Sequence, residues 1–155
     1  MSTNFGLIVL LIALVLGSVA LGGGIYETIL VDRVWPANLA MIQPARGGLN
    51  RKIFWMIVHS PYELALIAGA WLNWSFSAAR PWLILALVAH FAARAWSFAY
   101  FIPQALRFEG LNELTDDQRS QAQRWVALSR ARPLIETVAI VALGVVIFLE
   151  AGTAH

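Results

Sequence analysis

Four apolar runs govern what this chain can become. They cover about residues 5–30, 53–74, 81–102 and 134–149. Each is long enough, or nearly so, to cross the roughly 30 Å of hydrocarbon in a bilayer. Inside hydrocarbon every backbone N–H and C=O needs a partner within the protein, and helices supply one at each residue. Of the 155 residues 59% are hydrophobic and 13% charged, about half the charge of an average soluble domain. The expected fold class is therefore all-α, an integral membrane four-helix bundle formed by a single domain over 1–155. The first run has no Lys or Arg before it and outlasts the apolar part of a signal peptide, so it reads as a retained span. Pro81 and Pro133 fall at first-turn positions, where a missing N–H costs nothing. Pro36 and Pro103 suit helix ends or a kink. The short link SFSAAR makes the second and third spans an antiparallel hairpin.

There is no cysteine, which removes disulfides, thiolate metal sites and thiol nucleophiles. A formal charge of +2 gives no reason to expect a nucleic-acid partner. The placement of the basic residues says more. Arg33, Arg46, Arg51, Lys52, Arg107, Arg119, Arg124, Arg130 and Arg132 fall in or beside two loops, about 32–52 and 103–132, on one side; Arg80 is alone opposite. By the positive-inside rule those loops are cytoplasmic, both termini lie outside, and a bacterial inner membrane is the expected address. Trp35, Trp55, Trp74 and Trp82 lie near the boundaries, as interfacial aromatics do. In the second loop Thr115-Asp116-Asp117-Gln118 fits a capping box. It predicts a helix with Ala122, Trp125 and Val126 on one face.

Ionisable residues interrupt the apolar pattern in one half of the bundle. IVHSPYELAL, residues 57–66, puts His59 and Glu63 on one helix face. His90 and Arg94 repeat that spacing on the third span, Glu27 ends the first and Glu136 begins the fourth. Residues equidistant from the link near Ser77 and Ala78 face each other, which pairs Glu63 with Arg94. An ionisable group inside a bilayer costs roughly 2.5–3.5 kcal/mol on insertion scales and usually faces the bundle interior. Glu27, His59, Glu63, His90, Arg94 and Glu136 are therefore expected to form one pocket, with Pro61 opening its helix. Glycines 22–24 either let helices approach or leave room for a substrate.

Each residue also has a plainer role open to it. Glu63 and Arg94 can be a mutually neutralising ion pair. Glu136 suits a helix dipole, His90 an interhelical hydrogen bond, and His59 and Glu27 the interface. Tyr26, Tyr62 and Tyr100 read as interface aromatics, and Glu150 and His155 as plain surface. His and carboxylate donors suit iron, zinc, copper or manganese. Iron or copper held by Glu27, His59, Glu63, His90 and Glu136 is the cofactor expectation, although neither HExxH nor Glu-x-x-His occurs. A metal-free acid–base site of His59, Glu63 and Arg94 is equally open. Haem is disfavoured, because His59 and His90 are offset by about 10 Å of helix rise in the hairpin.

The segment GGGIYETILVDRVW, with Tyr26, Glu27 and Trp35, together with chain length, four spans and a long polar stretch before the fourth, resembles the family of small four-span membrane proteins that includes the anthrone oxygenases. Here Asp32-Arg33 intervene before the proline that comes after the motif, Pro36. The resemblance implies oxidation of an aromatic or other hydrophobic substrate by oxygen, and it carries over Tyr26 and Glu27 as functional residues. The expected function is a membrane-embedded oxidoreductase or oxygenase acting on a small hydrophobic molecule, with His59, Glu63, Arg94 and Tyr26 catalytic. The alternatives are a non-catalytic subunit or anchor of a larger membrane complex, and a small transporter or proton path. Either a homo-oligomer or a partner membrane subunit fits a chain of this size.

Overall fold

The computed structural model describes residues 2–152, with side chains from residue 5 onward; His155 lies outside the described residues. The chain is an all-α four-helix bundle whose four long helical segments are each long and apolar enough to cross a membrane. Helix α1 (Ser2–Tyr26) runs into a π-helical turn, Glu27–Val31. Helix α2 (Arg51–Leu72) and helix α3 (Arg80–Trp96) form the hairpin. A second π-turn, Ser97–Phe101, joins α3 to α4 (Ile102–Glu109). Helix α5 (Asp116–Ser129) leads directly into α6 (Ala131–Gly152).

The polar stretch 103–132, expected as a loop carrying one helix after the Thr115 capping box, is mostly helix. The third helical segment continues to Glu109 and the fourth begins at Asp116, so both outrun the apolar runs that marked them. Pro103 neither ends nor breaks its segment: it sits in the first turn of α4, just after the π-turn, where no helical N–H is required of it. The capping box is present. Thr115 Oγ1 accepts from the Gln118 N–H, and the Thr115 N–H donates to Gln118 Oε1 at 2.9 Å. Ala122, Trp125 and Val126 are buried on one face, as their spacing predicts. Pro61 stays within a continuous α2.

Two cores hold the molecule. The first lies between the spans, where Leu10, Tyr62, Leu66, Leu83 and Leu143 interlock with Ala13, Ala86 and Ala142. Small residues set the approach: a Cβ on Gly17 would collide with Ile140 and Tyr62, and one on Gly69 with Leu10. Helix α1 packs mainly on α2 and α6, and α3 on α6, whereas α2 and α3 barely touch. The hairpin partners are thus splayed, and a gap remains between them. The large side chains left outside, such as Ile57, Leu64, Val88, Val141 and Phe148, cover the bundle with an apolar surface fit for lipid. Glu150, expected as plain surface, is instead only 5% exposed, because α6 turns it toward the bundle.

The second core stands at the basic end. Trp35 packs on Phe108 with ring centroids 5.2 Å apart and on Trp125 at 5.7 Å, and Ile42, Phe101 and Val126 surround them. The loop 39–48 closes over it. Gln43 Nε2 donates to the carbonyls of Glu109 and Leu111, at 3.1 and 2.6 Å. Gly48 sits against the backbone of Ala40, Met41 and Gln43, where a Cβ would meet carbonyl oxygens inside contact distance. Backbone cannot swing aside as a side chain can. Gly48→Ala is therefore expected to displace this loop and lower the melting temperature by several degrees, whereas Gly144→Ala, with open space at its Cβ, leaves it within a degree or two. Thermal scans in detergent compare the two.

Candidate functional site

The gap between α2 and α3 opens into a cavity of about 540 Å³ in the basic half of the bundle. α1 and α6 form its back wall, and α4 and Trp125 its floor. Its mouth carries Met56 and Ser60 from α2 and Phe98 and Ile102 from the second π-turn and α4, all exposed on the outside of the bundle. Its lining is largely apolar, and into it are set the ionisable side chains Glu27, Arg51, His59, Glu63, Arg94, Arg132 and Glu136.

Register explains which of these meet. α2 ends at Leu72 and α3 begins at Arg80, so the hairpin centres near Phe76 rather than at Ser77 and Ala78. His90 is then level with Tyr62, and the rings pack at 4.5 Å. The offset of about 10 Å between His59 and His90 is corrected by the same shift: the two rings lie 5.9 Å apart, edge to face. Arg94 still reaches Glu63. Its side chain leans toward the N-terminus of its own helix, and Nε donates to Glu63 Oε1 at 2.6 Å.

His90 is fully buried between two carboxylates. Its Nδ1 lies 3.0 and 3.1 Å from the Glu136 oxygens, and its Nε2 is 3.8 Å from Glu63 Oε1. With Nδ1–H donated to Glu136, Nε2 is the basic nitrogen and points toward Glu63. A chain of ionisable groups therefore runs from Glu136 through His90 and Glu63 to Arg94, across three helices. His59 stands beside it on the cavity wall, its ring against Trp55 at 5.0 Å. His59 Nδ1 is buried with no hydrogen-bond partner among the described residues. Trp55 Nε1 donates to Glu27 Oε1 at 3.1 Å.

Two residues at the floor were hidden in the expected loops. The Arg132 guanidinium lies over the Phe101 ring at 4.3 Å and beside Trp125 at 5.5 Å. Glu109 receives Arg51 at 3.6 Å and Lys52 at 2.9 Å. A basic residue two positions before the fourth apolar run was the only available signal for Arg132. For Glu109 there was none, since its partners are 57–58 residues away. Just below, Ser129 Oγ donates to Asp32 Oδ2 at 2.6 Å. Burial pushes the Asp32 carboxyl up, and that hydrogen bond and the Arg132 and Arg51 charges pull against it.

Both π-turns stand at this cavity. Asp32 N–H donates to the Glu27 carbonyl at 2.8 Å, the five-residue bond of a π-turn, and Ile102 N–H donates to the Ser97 carbonyl. Such turns insert one extra residue into a helix and recur at functional sites. The first one re-aims the chain beyond α1; at its start Glu27 is buried, while Tyr26, about 100° round the helix, is 56% exposed on the outer surface. The structure thus brings together His59, Glu63, His90, Arg94 and Glu136, with Glu27 at the edge, and leaves Tyr26 out. Tyr62, read as an interface aromatic, is fully buried against His90. Gly23 lets Phe54 approach α1, while Gly24 lines the cavity.

Among the described residues no three His, Asp or Glu side chains form a metal-binding group. His90 Nδ1 is engaged by Glu136, and Glu63 Oε1 by Arg94, so the five donors named for iron or copper are not arranged around a common point. No family model, curated protein or solved structure matches the chain.

Proposed function

We propose that the chain is a membrane-embedded oxidoreductase of the oxygenase kind, which takes a small hydrophobic, aromatic molecule from the lipid through the gap between α2 and α3. The observation that carries this reading is the cavity itself: its mouth opens on the lipid-facing surface and its wall is titratable. An apolar guest partitions into the bilayer, reaches Met56 and Phe98 without crossing water, and meets His59 and Glu63 inside. The chemistry asked of the wall is proton removal from a weakly acidic C–H or O–H group. His59 is placed to take that proton, and Arg94, oriented by Glu63, to hold the negative charge left behind. The resulting carbanion forms a C–O bond to O2, the proton returns from His59 to give a hydroperoxide, and loss of water from it breaks the O–O and remaining C–H bonds, leaving one oxygen atom in a ketone and the other in water. The resemblance of residues 22–35 to the anthrone oxygenase family supports the same class of reaction.

Oxygen uptake in proteoliposomes, with a panel of polycyclic phenols and ketones, tests this reading. Uptake above that of protein-free liposomes is expected with at least one member. Ser60→Trp, at the mouth, is expected to raise KM about tenfold with kcat little changed. Uptake equal to protein-free liposomes across the panel overturns the oxygenase assignment, and an unchanged KM overturns entry from the lipid.

The basic end is taken as cytoplasmic, in a bacterial inner membrane, on the arginine asymmetry. Alkaline phosphatase needs an oxidising compartment for its disulfides. Fused after His155, it is expected to be active, and an inactive fusion reverses the orientation.

A further inference from the structure

A second cavity, of about 380 Å³, lies away from the first, between the turn 32–37 and one face of α5. Arg119, Gln123, Val126 and Arg130 recur at helical spacing along that face, and Arg33 closes the other side. All three arginines are exposed, and among the described residues none is within ion-pair distance of a carboxylate. The acidic residue on the wall, Asp32, is 1% exposed and already accepts from Ser129. The groove therefore presents positive charge without a resident counter-ion.

Its position narrows the class of guest. The first apolar span ends at Val31, one residue before the groove begins, so the groove opens at the boundary between lipid and water. Ile29 and Leu30, on the membrane side of it, are about half exposed. Arg119 and Arg130 are separated by about 16 Å of helix rise, longer than a single phosphate. Guanidinium groups bind phosphate oxygens through paired N–H donors.

We propose that this groove binds an anionic phospholipid, its charged headgroup lying along Arg33, Arg119 and Arg130 and its acyl chains over Ile29 and Leu30. A basic residue near an anionic lipid surface is worth about a fivefold gain in binding, so three together are worth about a hundredfold.

Native mass spectrometry of the detergent-purified chain, titrated with phosphatidylglycerol or with phosphatidylcholine of the same acyl chains, tests it. One phosphatidylglycerol is expected to be retained in preference to phosphatidylcholine. The triple variant Arg33→Gln/Arg119→Gln/Arg130→Gln is expected to lose about a hundredfold in that affinity with unchanged helical circular dichroism. Arg124→Gln, an exposed arginine of α5 outside the groove, keeps the wild-type preference. Equal phosphatidylglycerol binding by wild type and triple variant overturns the site. Displacement of the lipid by millimolar inorganic phosphate makes it a site for soluble anions and overturns the lipid assignment.

Discussion

Alanine at His59 is expected to slow oxygen uptake by 10²–10⁴-fold, the range over which a positioned general base acts, or about 2.7–5.4 kcal/mol of barrier. The residue is half-buried on the cavity wall, its Nδ1 carries no other bond, and its ring leans on Trp55 and His90 rather than holding helices together. The loss is thus expected with helical circular dichroism unchanged and the melting temperature within a few degrees of wild type. Glu63→Ala is expected to act as strongly on turnover, because Arg94 loses the 2.6 Å partner that fixes its guanidinium on the cavity wall. It also costs some stability, since removing one member of a partly buried pair strands the other. Glu63→Gln keeps a hydrogen-bond acceptor for Arg94 without the charge, so it separates the two effects: near-native stability with low turnover. Wild-type turnover in both His59→Ala and Glu63→Ala would sink the catalytic reading and leave the cluster as interhelical bonding alone.

The largest expected loss of stability lies outside the spans. Trp35→Ala removes a 1% exposed indole from between Phe108 and Trp125, and large-to-small changes of this kind cost about 3–5 kcal/mol. For a chain of this length that corresponds to a fall of roughly 10 °C in melting temperature. Trp35→Phe is expected to recover more than half of it. The consequence reaches the cavity, because Trp125 is also the ring beside Arg132 and donates to the Phe101 carbonyl at 3.1 Å. A Trp35→Ala variant that melts with the wild type would mean that the core at the basic end contributes little to holding the four segments together.

Hydropathy sufficed for the spans because the bilayer admits few backbone solutions. It failed at the basic end, where α4 and α5 are amphipathic helices around Trp35 and Phe101 rather than apolar ones. Equidistance from a short link was enough to join Glu63 to Arg94, since the link fixes that register to within a residue or two. The His90–Glu136 bond relates α3 to α6, which no short link connects, so nothing in the spacing could specify it. Tyr26 was misplaced for a different reason. Neighbours in a helix point about 100° apart, so a motif that names Tyr26 and Glu27 together cannot place both in one pocket, and it is Glu27 that turns inward.

Those two π-turns also have a bearing on ancestry. Each is a helix carrying one residue more than its hydrogen-bond ladder needs. Loss of one residue within 27–31 or within 97–101 would restore a regular helix, keep the span, and rotate everything beyond it by about 100°. In the first case Asp32 and Trp35 would swing out of the core at the basic end, and in the second Phe101 would leave the pocket, while the spans remained intact. Descendants that kept the scaffold but abandoned the site should therefore differ by single-residue gaps at these two places rather than by scattered exchanges of His and Glu.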